Sequence, residues 1–149
     1  MVYSFLDVLA AIAGPGIAAN LGAGAAVAEE GITITPVENK NVMQIGADGR
    51  GQHSLVASDA RTVTVRLLKT SPVNAILMAA YQFQSTSSSF WGRNVMTVTN
   101  PQTGDVTTIQ AAAFQKVPEL TYAKEAGFNE WVFDAIKVDT ILGIGSPEI

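Results

Sequence analysis

The 149-residue sequence has no cysteine and a single histidine. The first absence excludes disulfides, thiolate metal sites and cysteine nucleophiles. It says nothing about redox compartment. One histidine without cysteine does not supply the usual zinc ligands. Charge is also scarce: Asp, Glu, Lys and Arg make up 15% of residues, against about 25% in a typical soluble domain. What charge exists is acidic, with nine basic and thirteen acidic side chains giving −4. Lys40, Arg50, Arg61, Arg66 and Lys69 stand singly, so no cationic cluster is present to displace phosphate counterions, and tight nucleic-acid binding is disfavoured. Apolar residues, at 48%, exclude intrinsic disorder. A chain of this length suits one domain with a real core. So few charges do not clothe an ordinary monomer, which implies that other subunits cover some apolar surface.

Val8 to Ala28 carries no charge and is long enough on paper to span a bilayer. Gly14, Pro15, Gly16, Asn20, Gly22 and Gly24 interrupt it, and no Lys or Arg precedes Lys40, so a secretory n-region is missing. The segment reads as a glycine-bent hairpin: Met1 to Ala13, a turn at Gly14-Pro15-Gly16, and a return over Ile17 to Leu21.

Period-two alternation then recurs. Ile32-Thr33-Ile34-Thr35 alternates and meets Pro36, which marks a strand end or an edge. Asn41 to Ile45 is a second short strand. Ala47-Asp48-Gly49-Arg50-Gly51 is a turn, with a return over Leu55 to Ser58. In Thr62 to Leu67, Val63, Val65 and Leu67 face a core, while Thr62, Thr64 and Arg66 face water or a partner. One helix follows. Ser71 is placed to cap it and Pro72 to open it. Val73, Ile76, Leu77, Ala80 and Tyr81 form its apolar stripe. Ala75, Met78 and Ala79 leave the opposite face weakly apolar, so both sides invite cover. Ser85 to Ser89 ends it.

The C-terminal half reads as antiparallel sheet. Val95 to Thr99 and Val106 to Gln110 flank a turn over Asn100 to Asp105. Phe114 to Thr121 is a further strand interrupted at Pro118. Asn129 to Leu142 is long and changes phase: Trp131, Phe133 and Ala135 share one parity, Ile136, Val138 and Leu142 the other. Either a β-bulge near Ala135 flips it, or both faces are buried at different heights. Gly143 to Ile149 reads as an extended arm.

Catalytic and ligand-binding patterns fail on inventory. His53 lies beside Asp48, Ser54 and Ser58, around a tight turn and without a nucleophile-elbow pattern. Gly22-Ala23-Gly24-Ala25-Ala26-Val27 lacks the third glycine of a dinucleotide fingerprint. Glu29-Glu30 has no EF-hand spacing. Trp131 sits in an apolar strand, and Trp91 is the better candidate for a sugar platform. What remains is a strand-rich chain whose sheet edges must be blocked, covered or used. Heterologous pairing of such edges closes a ring when the rotation permits.

Several segments carry a family resemblance: Tyr3 to Val8, Ala28 to Thr33, Ile45 to Gly49, Val63 to Asn74, Lys116 to Glu125 and Asn129 to Lys137. Together they resemble a small family of bacteriophage tail structural proteins, namely the tail tube proteins of contractile-tailed phages. The likeness runs nearly end to end, through packing and turn motifs. It implies one domain over residues 1–149, mainly β: an antiparallel β-sandwich or half-barrel with one flanking α-helix. Six copies would close a ring with a continuous inner β-barrel, an architecture shared with the tube of type VI secretion machines. Rings would stack into a hollow conduit through which DNA passes during ejection.

The resemblance further implies a non-enzymatic virion component without a cofactor, assembled in the host bacterial cytoplasm. Its partners would be copies of itself and the tail sheath, tape measure, baseplate and terminator proteins, with only transient, non-specific passage of DNA. On this reading Lys40, Asp48, Gly49, Arg50 and His53 are inter-ring contacts, from the polar hairpin over Asn39 to Asp59. Tyr3, Phe5, Trp131, Phe133 and Ile144 are intra-ring contacts. Glu29, Glu30, Asp48, Asp105 and Asp134 are candidate bore-lining acids. The alternatives are another ring subunit of the tail or baseplate, and a monomeric β-sandwich that binds glycans through Trp91.

Overall fold

The computed structural model describes residues 3–21 and 27–144, apart from the side chains of Phe5 and residues 27–30. A 3-10 turn over Phe5–Asp7 leads into β1 (Leu9–Gly14) and β2 (Ile17–Asn20). Then come β3 (Val27–Pro36), β4 (Asn41–Ile45), β5 (Gly51–Leu55), β6 (Arg61–Leu68), α1 (Val73–Gln84), β7 (Asn94–Asn100), β8 (Asp105–Lys116) and β9 (Phe128–Ile141). Seven strands form one antiparallel sheet in the order β2-β1-β7-β8-β9-β6-β3, and β4 and β5 form a separate ribbon.

Covalent reach requires the sheet to be coiled. Its two outermost strands, β2 and β3, are joined by residues 21–26 alone. From Asn20 to Val27 the chain reaches at most about 25 Å. Six flat inter-strand spacings come to about 29 Å. The sheet therefore bends so that its ends approach, and a pocket lined by Ile32 of β3 together with Val98 of β7 shows that approach. The seven strands thus form an open half-barrel rather than a sandwich of two packed sheets, and among the described residues this sheet does not close.

Alternation fills the concave side. Ala10 and Ile12, Val63, Val65 and Leu67, Met96, Ile109, Trp131 and Phe133 form one buried cluster with Leu77 and Ala80 of α1. The change of phase expected near Ala135 is present, since Ala135 and Val138 are both buried. β8 changes phase in step, from Ile109 to Ala112, and its Ala111 has φ 53°. The register of β7 on β8 shifts there as well, so the irregularity centres on β8, beside β9.

Four expectations are corrected. The return strand of the ribbon is Gly51–Leu55 rather than Leu55 to Ser58, because Gly46 and Gly49 close a tighter turn, with Gly49 at φ +87°. Phe114 belongs to β8, which runs unbroken to Lys116. Residues 117–127 carry no strand; Lys69 holds them by donating to the Thr121 carbonyl and lying over the Tyr122 ring. The first strand begins at Leu9, since the Phe5–Asp7 turn precedes it. The buried stripe of α1 is Val73, Leu77, Ala80 and Gln84, while Ile76 is exposed.

Gln84 explains that last rotation. It is fully buried and makes reciprocal amide bonds with buried Asn94, at 2.8 and 3.0 Å, while donating to the Pro15 carbonyl at 2.9 Å. The apolar Ile76 yields the inner face because this polar junction, linking α1, β7 and the β1–β2 turn, fixes the helix's azimuth. Gly14 sits against it: a Cβ there would lie 2.2 Å from Asn94 Oδ1.

Candidate subunit interfaces

The features open to a partner are edges and faces rather than a cleft. β2 and β3 end the sheet, and neither has a second strand beside it among the described residues. β3 carries Gly31 at φ +61° and a register shift against β6 between Val27 and Ile32. Pro36 ends the strand, as its missing N–H predicts for an edge.

The β4–β5 ribbon is exposed along its whole length. A two-stranded ribbon is marginally stable in water by itself. Its register places Met43 opposite His53, Asn41 opposite Leu55 and Ile45 opposite Gly51. One face therefore gathers Met43, Ile45 and Leu55, all largely exposed, with His53, whose Nδ1 lies 3.1 Å from Asn41 Nδ2. The other face carries Val42, Gln44, Gln52 and Ser54. At the tip, Arg50 N–H donates to Asp48 Oδ1. At the root, Lys40 donates to Asp59 Oδ1 at 3.0 Å. That bond, and the Lys40 charge behind it, hold the Asp59 carboxyl below its usual range. Asp59 also bridges to Lys137 of β9 through the backbone.

Helix α1 contains no charged residue. Its outward side shows Ala75, Ile76, Ala79 and Phe83, the last stacked on Phe90 with ring centroids 5.0 Å apart. The convex face of the sheet is polar instead. It presents Thr62, Thr64, Thr97, Thr99, Thr108 and Gln110, with an Arg66–Glu130 ion pair at 3.2 Å and Asp134 accepting from Gln115.

The expected contact residues separate on this frame. Lys40, Asp48, Gly49, Arg50 and His53 all lie on or beside the ribbon and are exposed. Tyr3 and Ile144 are exposed, while the side chains of Phe5, Glu29 and Glu30 lie outside the described set, as do residues 22–26. Trp131 and Phe133 are a correction: at 1% and 0% exposure they belong to the subunit's own core. Trp131 is tied inward, its indole N–H donating to Asn74 Oδ1 at 3.0 Å. Neither ring is available to a neighbour. Trp91 packs against Tyr81 and Phe114 rather than standing free as a platform. Asp105 accepts from the Gly143 N–H, and nothing in its sequence neighbourhood signalled that bond. Among the described residues no three His, Asp or Glu gather to hold a metal, and no helix is long and apolar enough to cross a membrane.

Among the described residues, an open coiled sheet with two unextended edges, one helix and a projecting apolar-faced ribbon define a mainly β subunit with no enclosed catalytic cleft. The family model of the bacteriophage PhiTE tail tube protein matches residues 1–143, and the chain belongs to that family. Its role is that of a tail tube structural protein, a component of the virion. No curated protein matches. Solved structures share the fold at low identity. One is a chain of an extracellular contractile injection system, the PVC sheath-tube complex in the extended state, with TM-score 0.58, 9% identity and coverage of 91% of this chain and 88% of that one. Another is the anti-feeding prophage cap, a tube-terminating cap, with TM-score 0.55, 7% identity and coverage of 90% and 88%.

Proposed function

We propose that six copies of this chain close into a ring, and that rings stack into a hollow tube through which DNA passes. The observation that carries this reading is the coiled sheet whose two outer strands each have one open side among the described residues, on a chain of the tail tube family. Pairing one copy's β2 side with the next copy's β3 side extends the sheet around a ring without leaving an edge. Closed wide barrels enclose aqueous channels.

In this arrangement the ribbon reaches the adjacent ring, with Lys40, Asp48, Gly49, Arg50 and His53 at the contact and Met43, Ile45 and Leu55 buried by it. Tyr3, Phe5 and Ile144 meet neighbours within the ring. The polar convex face lines the bore, placing Asp134 there; Glu29, Glu30, Asp48 and Asp105 remain candidates for the same wall. Six copies of −4 carry −24 per ring, and an acidic wall repels phosphates so that DNA slides without sticking. A sheath surrounds the tube, as in the PVC complex, and tape measure, baseplate and terminator proteins meet its interior and ends. Assembly takes place in the host cytoplasm.

Negative-stain micrographs of the purified protein test the reading: hollow tubes support it, and monomers at every concentration overturn it. The likeness to a tube-terminating cap favours one second reading, a ring that caps rather than propagates. Single rings that never stack would establish that reading instead.

A further inference from the structure

Strand pairing sorts the exposed apolar residues onto two opposite ends of the sheet. β3 and β6 pair with Pro36 opposite Arg61 at one end and Val27 opposite Leu67 at the other. The β4–β5 ribbon prolongs this hairpin past Pro36 and Arg61. Val37 N–H donates to the Ala60 carbonyl, Val56 N–H donates to the Lys40 carbonyl, and Asn41 then pairs with Leu55. Each ribbon strand has five residues, a length of about 17 Å. At the opposite end β6 stops at Leu68, which pairs with Phe128 where β9 begins. Residues 117–127 join β8 to β9 there.

This connection has no strand or helix, yet it is held in place. Lys69 N–H donates to the Gly127 carbonyl at 3.2 Å. The Lys69 ammonium donates to the Thr121 carbonyl and lies 3.9 Å from the centroid of the Tyr122 ring. Pro118 is buried beneath it. Tethered in this way, the connection presents apolar side chains to solvent: Leu120 is 51% and Tyr122 85% exposed, with Phe128 beside them at 48%.

Rings stacked head to tail bring unlike ends of the chain together. The surface that receives the ribbon therefore lies on the end from which the ribbon does not project. The ribbon is in line with β6, and the far end of β6 is where Phe128 and the 117–127 connection stand. The β1–β2 turn shares that end but lies toward the other edge of the sheet, with Gly14 already against Asn94 and Gly16 against Phe83.

We propose that the 117–127 connection is the receptor for the β4–β5 ribbon of a second copy in the adjacent ring, with Met43, Ile45 and Leu55 of the ribbon meeting Leu120, Tyr122 and Phe128. The inference rests on the stacked-ring reading above and adds the surface on which the ribbon lands. Three exposed apolar side chains on each partner cover one another, and neither set has cover within its own subunit.

The test uses the full chain, which has no cysteine. Leu55→Cys and Leu120→Cys are introduced together. The eight residues of β6 separate the two ends by roughly 25 Å, far beyond the about 7 Å between Cα atoms that a disulfide spans, so a bond between these cysteines joins two copies. Oxidation of assembled material yields covalent ladders, and each single variant yields none. Leu120→Asp changes an exposed side chain outside any strand or helix, so thermal unfolding stays that of the wild type. It leaves six-copy rings and raises the critical concentration for tubes about tenfold or more, as expected for losing an apolar anchor. Adding Leu55→Ser to it has little further effect, because both remove the same contact. Well-formed tubes without ladders, or ladders that form instead when Ile76→Cys replaces Leu120→Cys, overturn the proposal and leave the stacked-ring reading standing. A wild-type critical concentration in Leu120→Asp overturns it equally. If the wild type itself never forms tubes, the stacked-ring reading falls first, and this inference with it.

Discussion

At the residue scale, the most constrained group is the polar junction at the end of the helix. Gln84 and Asn94 are both 0% exposed and satisfy each other. Removing one leaves buried amide groups without partners, which costs the full desolvation of those groups. Gln84→Ala is expected to lose about 2–3 kcal/mol in chemical denaturation. Gly14→Ala, which drives a methyl into Asn94 Oδ1, is expected to lose about 1–3 kcal/mol. A second junction, Asn74, accepts from Trp131 and donates to the Leu68 and Ser71 carbonyls. Neither amide was legible as structural in the sequence, because a polar residue's partner lies 57 positions away in one case and across two elements in the other. Asp59 gives a pH prediction. Its carboxyl is held below the ordinary value by Lys40. The root contact therefore contributes fully above the ordinary Asp value of about 3.9 and is lost as pH falls through the lowered one. Amide protection factors in the ribbon, taken against the intrinsic exchange rate at each pH, should fall in that acid window and stay flat from neutrality down to about pH 5.

At the element scale, the strands with one buried parity were readable. Val63, Val65 and Leu67 are 0% exposed, and alternation alone placed them inward. The helix was readable in position but not in rotation. Its composition is apolar on every side, so periodicity could not choose between Ile76 and Gln84 for the inner stripe. Leu77→Ala should cost about 2–5 kcal/mol as a core cavity, and Ile76→Ala less than about 1 kcal/mol; thermal denaturation of both variants checks the assignment. The ribbon's return strand was misplaced because Gly51, Gln52, His53 and Ser54 show no hydrophobic alternation. Pairing with β4, rather than burial, makes them a strand. Leu55→Ser is expected to leave subunit stability within about 0.5 kcal/mol while reducing tube length in micrographs. Deleting Asp48 to Gly51 should leave rings and abolish tubes.

At the scale of the whole molecule, two facts act together. A six-residue connection forces a seven-stranded sheet to coil, and the coil stops short of closing on itself. Scarce charge, 15% of residues, is the sequence feature that implies cover by other subunits. The location of the uncovered surface was not readable, since it depends on which strands become edges, and strand order is set by pairings distant in sequence. β2 and β3 are close in the chain yet at opposite ends of the sheet. The central claim is that an isolated subunit has unmet sheet edges and apolar faces, and that copies joined head to tail meet them. Sedimentation velocity over a dilution series measures this most directly. The account predicts concentration-dependent conversion of a slow single-chain species into six-chain rings and longer polymers. A single monomeric boundary, unchanged up to the highest concentration reached, would contradict it.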